Sequence, residues 1–105
     1  MTVKSENLYP VLRQLMQDGE VRFAYRKKTG ELRVAKGTTN LGIIPAESHP
    51  SGAGPEKSNV QAYWDLNVAG WRAFNPLCLV WVENAGQTDL TQAETDIINE
   101  ALKSA

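Results

Sequence analysis

The stretch Tyr63-Trp64-Asp65-Leu66-Asn67-Val68-Ala69-Gly70-Trp71-Arg72-Ala73-Phe74 limits what this chain can fold into more than any other part of it. Two aromatic-rich runs flank a short connection that ends in glycine, the signature of a β-hairpin. A four-residue connection over 67–70 sets Asp65 opposite Arg72 and Tyr63 opposite Phe74. Side chains alternate between the two faces of a strand. Tyr63, Asp65, Arg72 and Phe74 therefore share one face. The other carries Trp64, Leu66, Trp71 and Ala73, with Val60 and Ala62 ahead of them. The tryptophan face is expected to point inward, which leaves Tyr63 and Phe74 outside and in need of a cover.

Other strands are needed to complete a sheet, and the chain supplies them. Residues 21–28 and 31–38 predict a second hairpin around Thr29-Gly30. Two registers compete. A two-residue turn sets Tyr25 against Val34 and gathers Val21, Phe23, Tyr25, Leu32 and Val34 on one side. A three-residue loop with a glycine bulge sets Tyr25 against Arg33 and mixes the faces. Threonine avoids positive φ, which favours the bulge. A one-residue slip inverts every side chain, so the summed face pattern favours the two-residue turn, and that register is the one expected. It opposes Arg26 to Arg33, with Arg22 and Lys28 on the same face. Opposed like charges destabilise a strand pair unless a carboxylate or bound anion relieves them. Leu77-Cys78-Leu79-Val80-Trp81-Val82 is a nearly unbroken apolar run, as in a strand covered on both faces. Asn75-Pro76 turns the chain into it.

Helices are predicted at both ends. Leu8, Val11, Leu12, Leu15 and Met16 recur at helical spacing over residues 5–17, with Ser5 placed to cap. Pro10 either interrupts this helix or begins it. Asp18-Gly19 ends it, the glycine suiting a left-handed terminal residue. Thr91-Gln92-Ala93-Glu94 has capping-box spacing and opens a helix to about Lys103. Ile97, Ile98 and Ala101 give that helix an apolar stripe able to cover Tyr63 and Phe74.

Single-domain organisation follows from a length of 105 residues: helix over 1–19, strands over 20–84, helix over 89–105. Residues 39–58 interrupt the strands with a Pro-, Gly- and Ser-rich loop. The fold class expected is mainly β. Five short strands hide their edges best by curling into a small SH3/Sm-like barrel with a leading helix across one open end. An OB-type barrel is the competing architecture.

Several functions are disfavoured. Net charge is −1, so nucleic acid or anionic membrane would have to be met by a local patch. Cys78 is the only cysteine and His49 the only histidine, which excludes a Cys/His zinc site within one chain. His49 lies in the loop with no acidic or nucleophilic neighbour at motif spacing, and no paired carboxylates stand at catalytic spacing. Gly52-Ala53-Gly54 lacks the preceding strand and following helix that a phosphate loop needs. No apolar run reaches the roughly 18 residues of a membrane span. The expectation is a non-enzymatic cytoplasmic protein with no cofactor and no membrane partner.

The residues also resemble a known family. Phe23, then Arg26-Lys27-Lys28-Thr29-Gly30-Glu31-Leu32-Arg33-Val34-Ala35-Lys36-Gly37-Thr38, then Ile44-Pro45, Tyr63-Trp64-Asp65-Leu66 and Trp71-Arg72-Ala73-Phe74 are similar, in order, to the second WYL-type family. Its members are small proteins of Bacteroidetes and phages, with an Sm-like SH3-type barrel, and were formerly a domain of unknown function. The resemblance spans roughly residues 8–83 and implies the barrel fold. Related WYL domains sit in transcription regulators and defence proteins, where basic residues are thought to bind nucleic acid or a nucleotide-like ligand. This chain lacks their helix-turn-helix and a literal Trp-Tyr-Leu, so only the ligand-binding idea carries over, with no catalytic residues.

Two functional expectations follow. One is a binding module for nucleic acid or a nucleotide-like anion, through Arg22, Arg26, Arg33 and Arg72, with Asp65 orienting Arg72 and with Tyr63 and Phe74 as stacking surfaces. The structural alternative is a plain Asp65–Arg72 ion pair, a solvated basic face and aromatics covered by the last helix. The second expectation is a phage- or mobile-element accessory factor acting through a protein partner or as a homo-oligomer.

Overall fold

A computed structural model describes residues 2–49 and 60–103. Two helices, α1 (Ser5–Asp18) and α2 (Gln92–Lys103), bracket six strands: β1 (Val21–Arg26), β2 (Leu32–Thr38), β3 (Gln61–Asp65), β4 (Gly70–Phe74), β5 (Leu79–Val82) and β6 (Gly86–Gln87). The strands form one antiparallel sheet in the order β4-β3-β2-β1-β5-β6. The architecture is the expected Sm-like SH3-type barrel with a helix at each end, but the sheet stays open between its edges. The two-residue β6 adds a sixth strand to the five expected by folding back on Trp81 and Val82.

α1 starts at Ser5, and Pro10 lies inside it on the exposed side, where water can take the carbonyl its missing N–H leaves free. Ser5 does not cap; its hydroxyl donates to the Leu79 carbonyl at 2.6 Å and ties α1 to β5. Gly19 has φ 172°, extended rather than left-handed, so the helix ends there without an αL residue.

The β1–β2 hairpin takes the glycine-bulge register. Tyr25 pairs with Arg33 and Arg26 with Leu32. Lys27 N–H donates to Glu31, Gly30 N–H donates to Lys27, and Gly30 takes the positive φ of +89°. Turn chemistry thus overrides face counting. Counting failed because it assumed one buried face, whereas both faces of this sheet are covered. The expected clash of Arg26 with Arg33 does not exist. Arg22 does face Lys36, and Glu83 (3.7 Å) and Glu20 (3.2 Å) balance the two charges.

On the inner face, Phe23, Tyr25, Tyr63 and Phe74 form an aromatic cluster closed by Leu8, Leu12 and Met16 of α1. Gly37 permits this packing: a Cβ there would lie 2.6 Å from the Tyr63 ring. On the outer face, Ala24, Val80 and Ile98 form a smaller cluster, joined by Leu32, Val34 and Trp81 beneath α2.

This corrects the orientation of the second hairpin. Trp64 pairs with Trp71 and Tyr63 with Arg72, a two-residue shift from the expected register that keeps the same residues on each face. The faces are inverted. Tyr63 and Phe74 are buried in the core, whereas Trp71 is 40% exposed. The cover over Tyr63 and Phe74 is α1, not α2. The expected loop over 39–58 is described only to His49, whose Nε2 lies 2.8 Å from the carbonyls of Leu41 and Ile44. Gly52-Ala53-Gly54 falls outside the described residues.

Candidate anion-binding cleft

Edge strand β4 does not meet the β1–β2 turn, and the space between them is a cleft of about 840 Å³. Trp71, Arg72, Phe74 and Asn75 line one side; Tyr25, Arg26, Lys27, Lys28, Thr29 and Arg33 line the other. Cys78 and Val60 complete the lining with Ala73. The glycine bulge sets the Lys27–Thr29 loop over this opening. Five of the lining residues are basic and, among the described residues, none is acidic. Arg26, Arg33 and Arg72 therefore converge, as an anion site requires. Arg22 does not; it pairs with Glu83 away from the cleft.

The cations differ in how they are held. Arg26 forms a fork on Glu94 of α2: Nε donates to Oε2 at 2.7 Å and Nη2 to Oε1 at 2.9 Å. Nη2 also donates to the Asp89 carbonyl at 3.2 Å. Glu94 is the last residue of its capping box, Thr91-Gln92-Ala93-Glu94. Its Oε1 accepts from Thr91 N–H at 3.0 Å, and its own N–H donates to Thr91 Oγ1 at 3.1 Å. The hydrogen bonds from Arg26, then those from Thr91, hold the Glu94 carboxyl down at about 2. Glu94 in turn raises the Arg26 pKa and keeps the guanidinium charged.

Arg33 donates from Nη2 to Asp65 Oδ2 at 3.1 Å, and Asp65 is fully buried. Burial works against the Arg33 charge, but the hydrogen bond to Asp65, helped by the Tyr25 and Tyr63 oxygens, prevails and raises the pKa. Arg33 Nε is buried without a hydrogen-bond partner. Asp65 also accepts from Asn67 N–H at 2.9 Å, fixing the start of the β3–β4 turn. The expected Asp65–Arg72 pair is thus replaced by Asp65–Arg33, because Gly70, not Arg72, stands opposite Asp65.

Lys27 lies 3.8 Å from Glu31, a solvent-exposed pair that holds it weakly. Lys28 and Arg72 make no hydrogen bond or ion pair among the described residues. The chain matches the WYL_2 family, described as an Sm-like SH3 β-barrel fold, over residues 10–79. It belongs to that family. No curated protein and no solved structure matches it. The WYL_2 match takes in every lining residue of the cleft and stops before α2, so Glu94 lies outside the matched region.

Tyr63 cannot stack a ligand. Its ring is fully buried, its hydroxyl lies 2.9 Å from that of Tyr25, and burial pushes its pKa well above the usual tyrosine range. Phe74 lines the cleft but is almost as buried. Trp71 is the exposed aromatic here. Its indole N–H donates to the Ser48 carbonyl at 2.7 Å and its ring stands edge-on to Trp64. Sequence reasoning missed Trp71, Lys27, Lys28 and Glu94 as site residues. The Arg26-Lys27-Lys28 run was a visible signal for the lysines; nothing local pointed across 68 residues from Arg26 to Glu94. Among the described residues no group of His, Cys, Asp and Glu is arranged to hold a metal, and no helix is long and apolar enough to cross a membrane.

Proposed function

We propose that this protein is a non-catalytic module that binds single-stranded nucleic acid or a nucleotide-like anion in the cleft between β4 and the β1–β2 turn. One observation carries the reading: five basic residues and the exposed Trp71 line a common opening with, among the described residues, no lining carboxylate. Asp65, Glu31 and Glu94 neutralise three of the five cations from outside the lining. Among the described residues Lys28 and Arg72 remain without a compensating carboxylate, a pair of charges suited to one phosphate dianion or two successive phosphodiesters. Trp71 offers a face for a base, since aromatic stacking beside basic groups is a common way to hold single strands. Tyr63, Asp65 and Phe74 then act as the frame of the site rather than as contacts, and Arg22 lies outside it.

Short labelled DNA and RNA single strands, titrated at low and high salt, test this. Binding should weaken steeply with salt, and Arg72→Ala should lower affinity and reduce the salt slope by about one. Absence of binding at low salt removes the reading.

A second reading rests on a different observation. Among the described residues β4 pairs with β3 on one side only, so its other edge offers unpaired backbone groups to an added strand. A protein partner or a second copy would pair there, consistent with the accessory-factor idea. Light scattering over a range of concentrations separates self-association from a hetero-partner.

A further inference from the structure

The fork from Arg26 to Glu94 uses Nε and Nη2, so Nη1 takes no part in it. Arg26 borders the cleft, while Glu94 does not line it. Glu94 is itself fixed from two sides: its carboxylate by the Thr91 N–H, and its backbone by the Thr91 hydroxyl. Its side chain is only 12% exposed, against 41% for Arg26. A bidentate carboxylate sets the plane of a guanidinium as well as its position. A rigid carboxylate thus grips one edge of a cleft arginine and leaves Nη1 out of the fork.

We propose that Glu94 is a positioning residue for the anion site: α2 holds Arg26 in the orientation that presents its Nη1 group to a ligand phosphate. The inference rests on the functional reading above and adds to it a helix outside the family match. α2 then serves two ends. Ile98 seals the outer face over Ala24 and Val80, and Glu94, one helical turn away, sets a binding group.

The sign of the effect distinguishes this role from others. Removing a carboxylate near an anion site raises affinity by charge alone. Loss of positioning lowers it. If Glu94 competed with the ligand for Arg26, its removal would also raise affinity. Glu94→Gln keeps an acceptor at the cap but gives up the charged fork.

A labelled oligothymidylate, titrated against the full chain, Glu94→Gln, Arg26→Ala and the double variant, tests the proposal. Glu94→Gln should weaken binding roughly two- to tenfold, and should cause no further loss where Arg26 is already alanine. Ala101→Gly serves as the control for helix integrity, because it weakens α2 about two turns from Glu94 without touching Thr91, Glu94 or Arg26; its affinity should stay close to that of the unmodified chain. Unchanged or tighter binding by Glu94→Gln overturns the proposal. So does an equal loss in the Arg26→Ala background, or a loss in Ala101→Gly as large as in Glu94→Gln. These results leave the functional reading standing, whereas failure of the unmodified chain to bind overturns both.

Discussion

The two helices cover opposite faces of one sheet by different means. α1 commits Leu8, Leu12 and Met16, each at most 2% exposed, to the aromatic cluster. α2 commits one buried residue, Ile98, and adds the fork from Glu94 to Arg26. Burial is non-directional and scales with area, so α1 is held by bulk packing. A charged fork is directional and contributes little where water reaches it. The difference teaches that the core of this protein belongs to α1, while α2 is lightly attached and tied to the cleft.

Leu12→Ala should break the comparison most visibly, lowering unfolding stability by about 3 kcal/mol, measured in urea. Ile98→Ala, with fewer buried neighbours, should cost less and should raise amide hydrogen exchange mainly in α2. Equal global losses for the two would show that the helices contribute alike. Gly37→Ala tests the inner cluster from the sheet side. The new methyl group would meet the Tyr63 ring at 2.6 Å, and overpacking of this kind costs about 1–3 kcal/mol. A neutral result would mean that the cluster yields easily and that its packing does not set the strand spacing.

The smallest effect sharpens the α2 side. Glu94 is depressed from 4.5 to about 2 in the folded chain. A carboxyl lowered on folding stabilises fully above its unfolded value, and that contribution fades as pH falls through the folded one. The contacts of α2 should therefore loosen between about pH 4.5 and 2, and the change should vanish in Glu94→Gln. Hydrogen exchange in α2 against that in α1 at acid pH would show it. Equal acid sensitivity of the two helices would argue that the fork does not anchor α2.

Much of this architecture was legible in the sequence. Strand positions, both helices, the Thr91–Glu94 capping box and the barrel class follow from periodicity, turn residues and the family resemblance. The orientation of the sheet did not. Both faces of the 61–74 hairpin carry aromatic residues, and both faces of the sheet are covered, so apolar content alone cannot say which is inside. Side-chain volume and glycine decide it: Tyr63 fits only because residue 37 has no Cβ. The cleft was half legible. The basic run and Arg72 were visible, but the partner of each arginine depends on register, and a two-residue shift replaced Arg72 with Arg33 beside Asp65.

Trp64 and Trp71 stand directly opposite one another on β3 and β4, with ring centroids 5.8 Å apart and planes at 81°. Two indoles that close couple their electronic transitions, and the coupled pair gives circular dichroism of its own in the far ultraviolet. That signal overlaps the backbone bands, so helix content read from such a spectrum would be in error for this chain. The same overlap is useful. The couplet reports the integrity of a single hairpin, and it disappears in Trp64→Phe while the backbone bands remain.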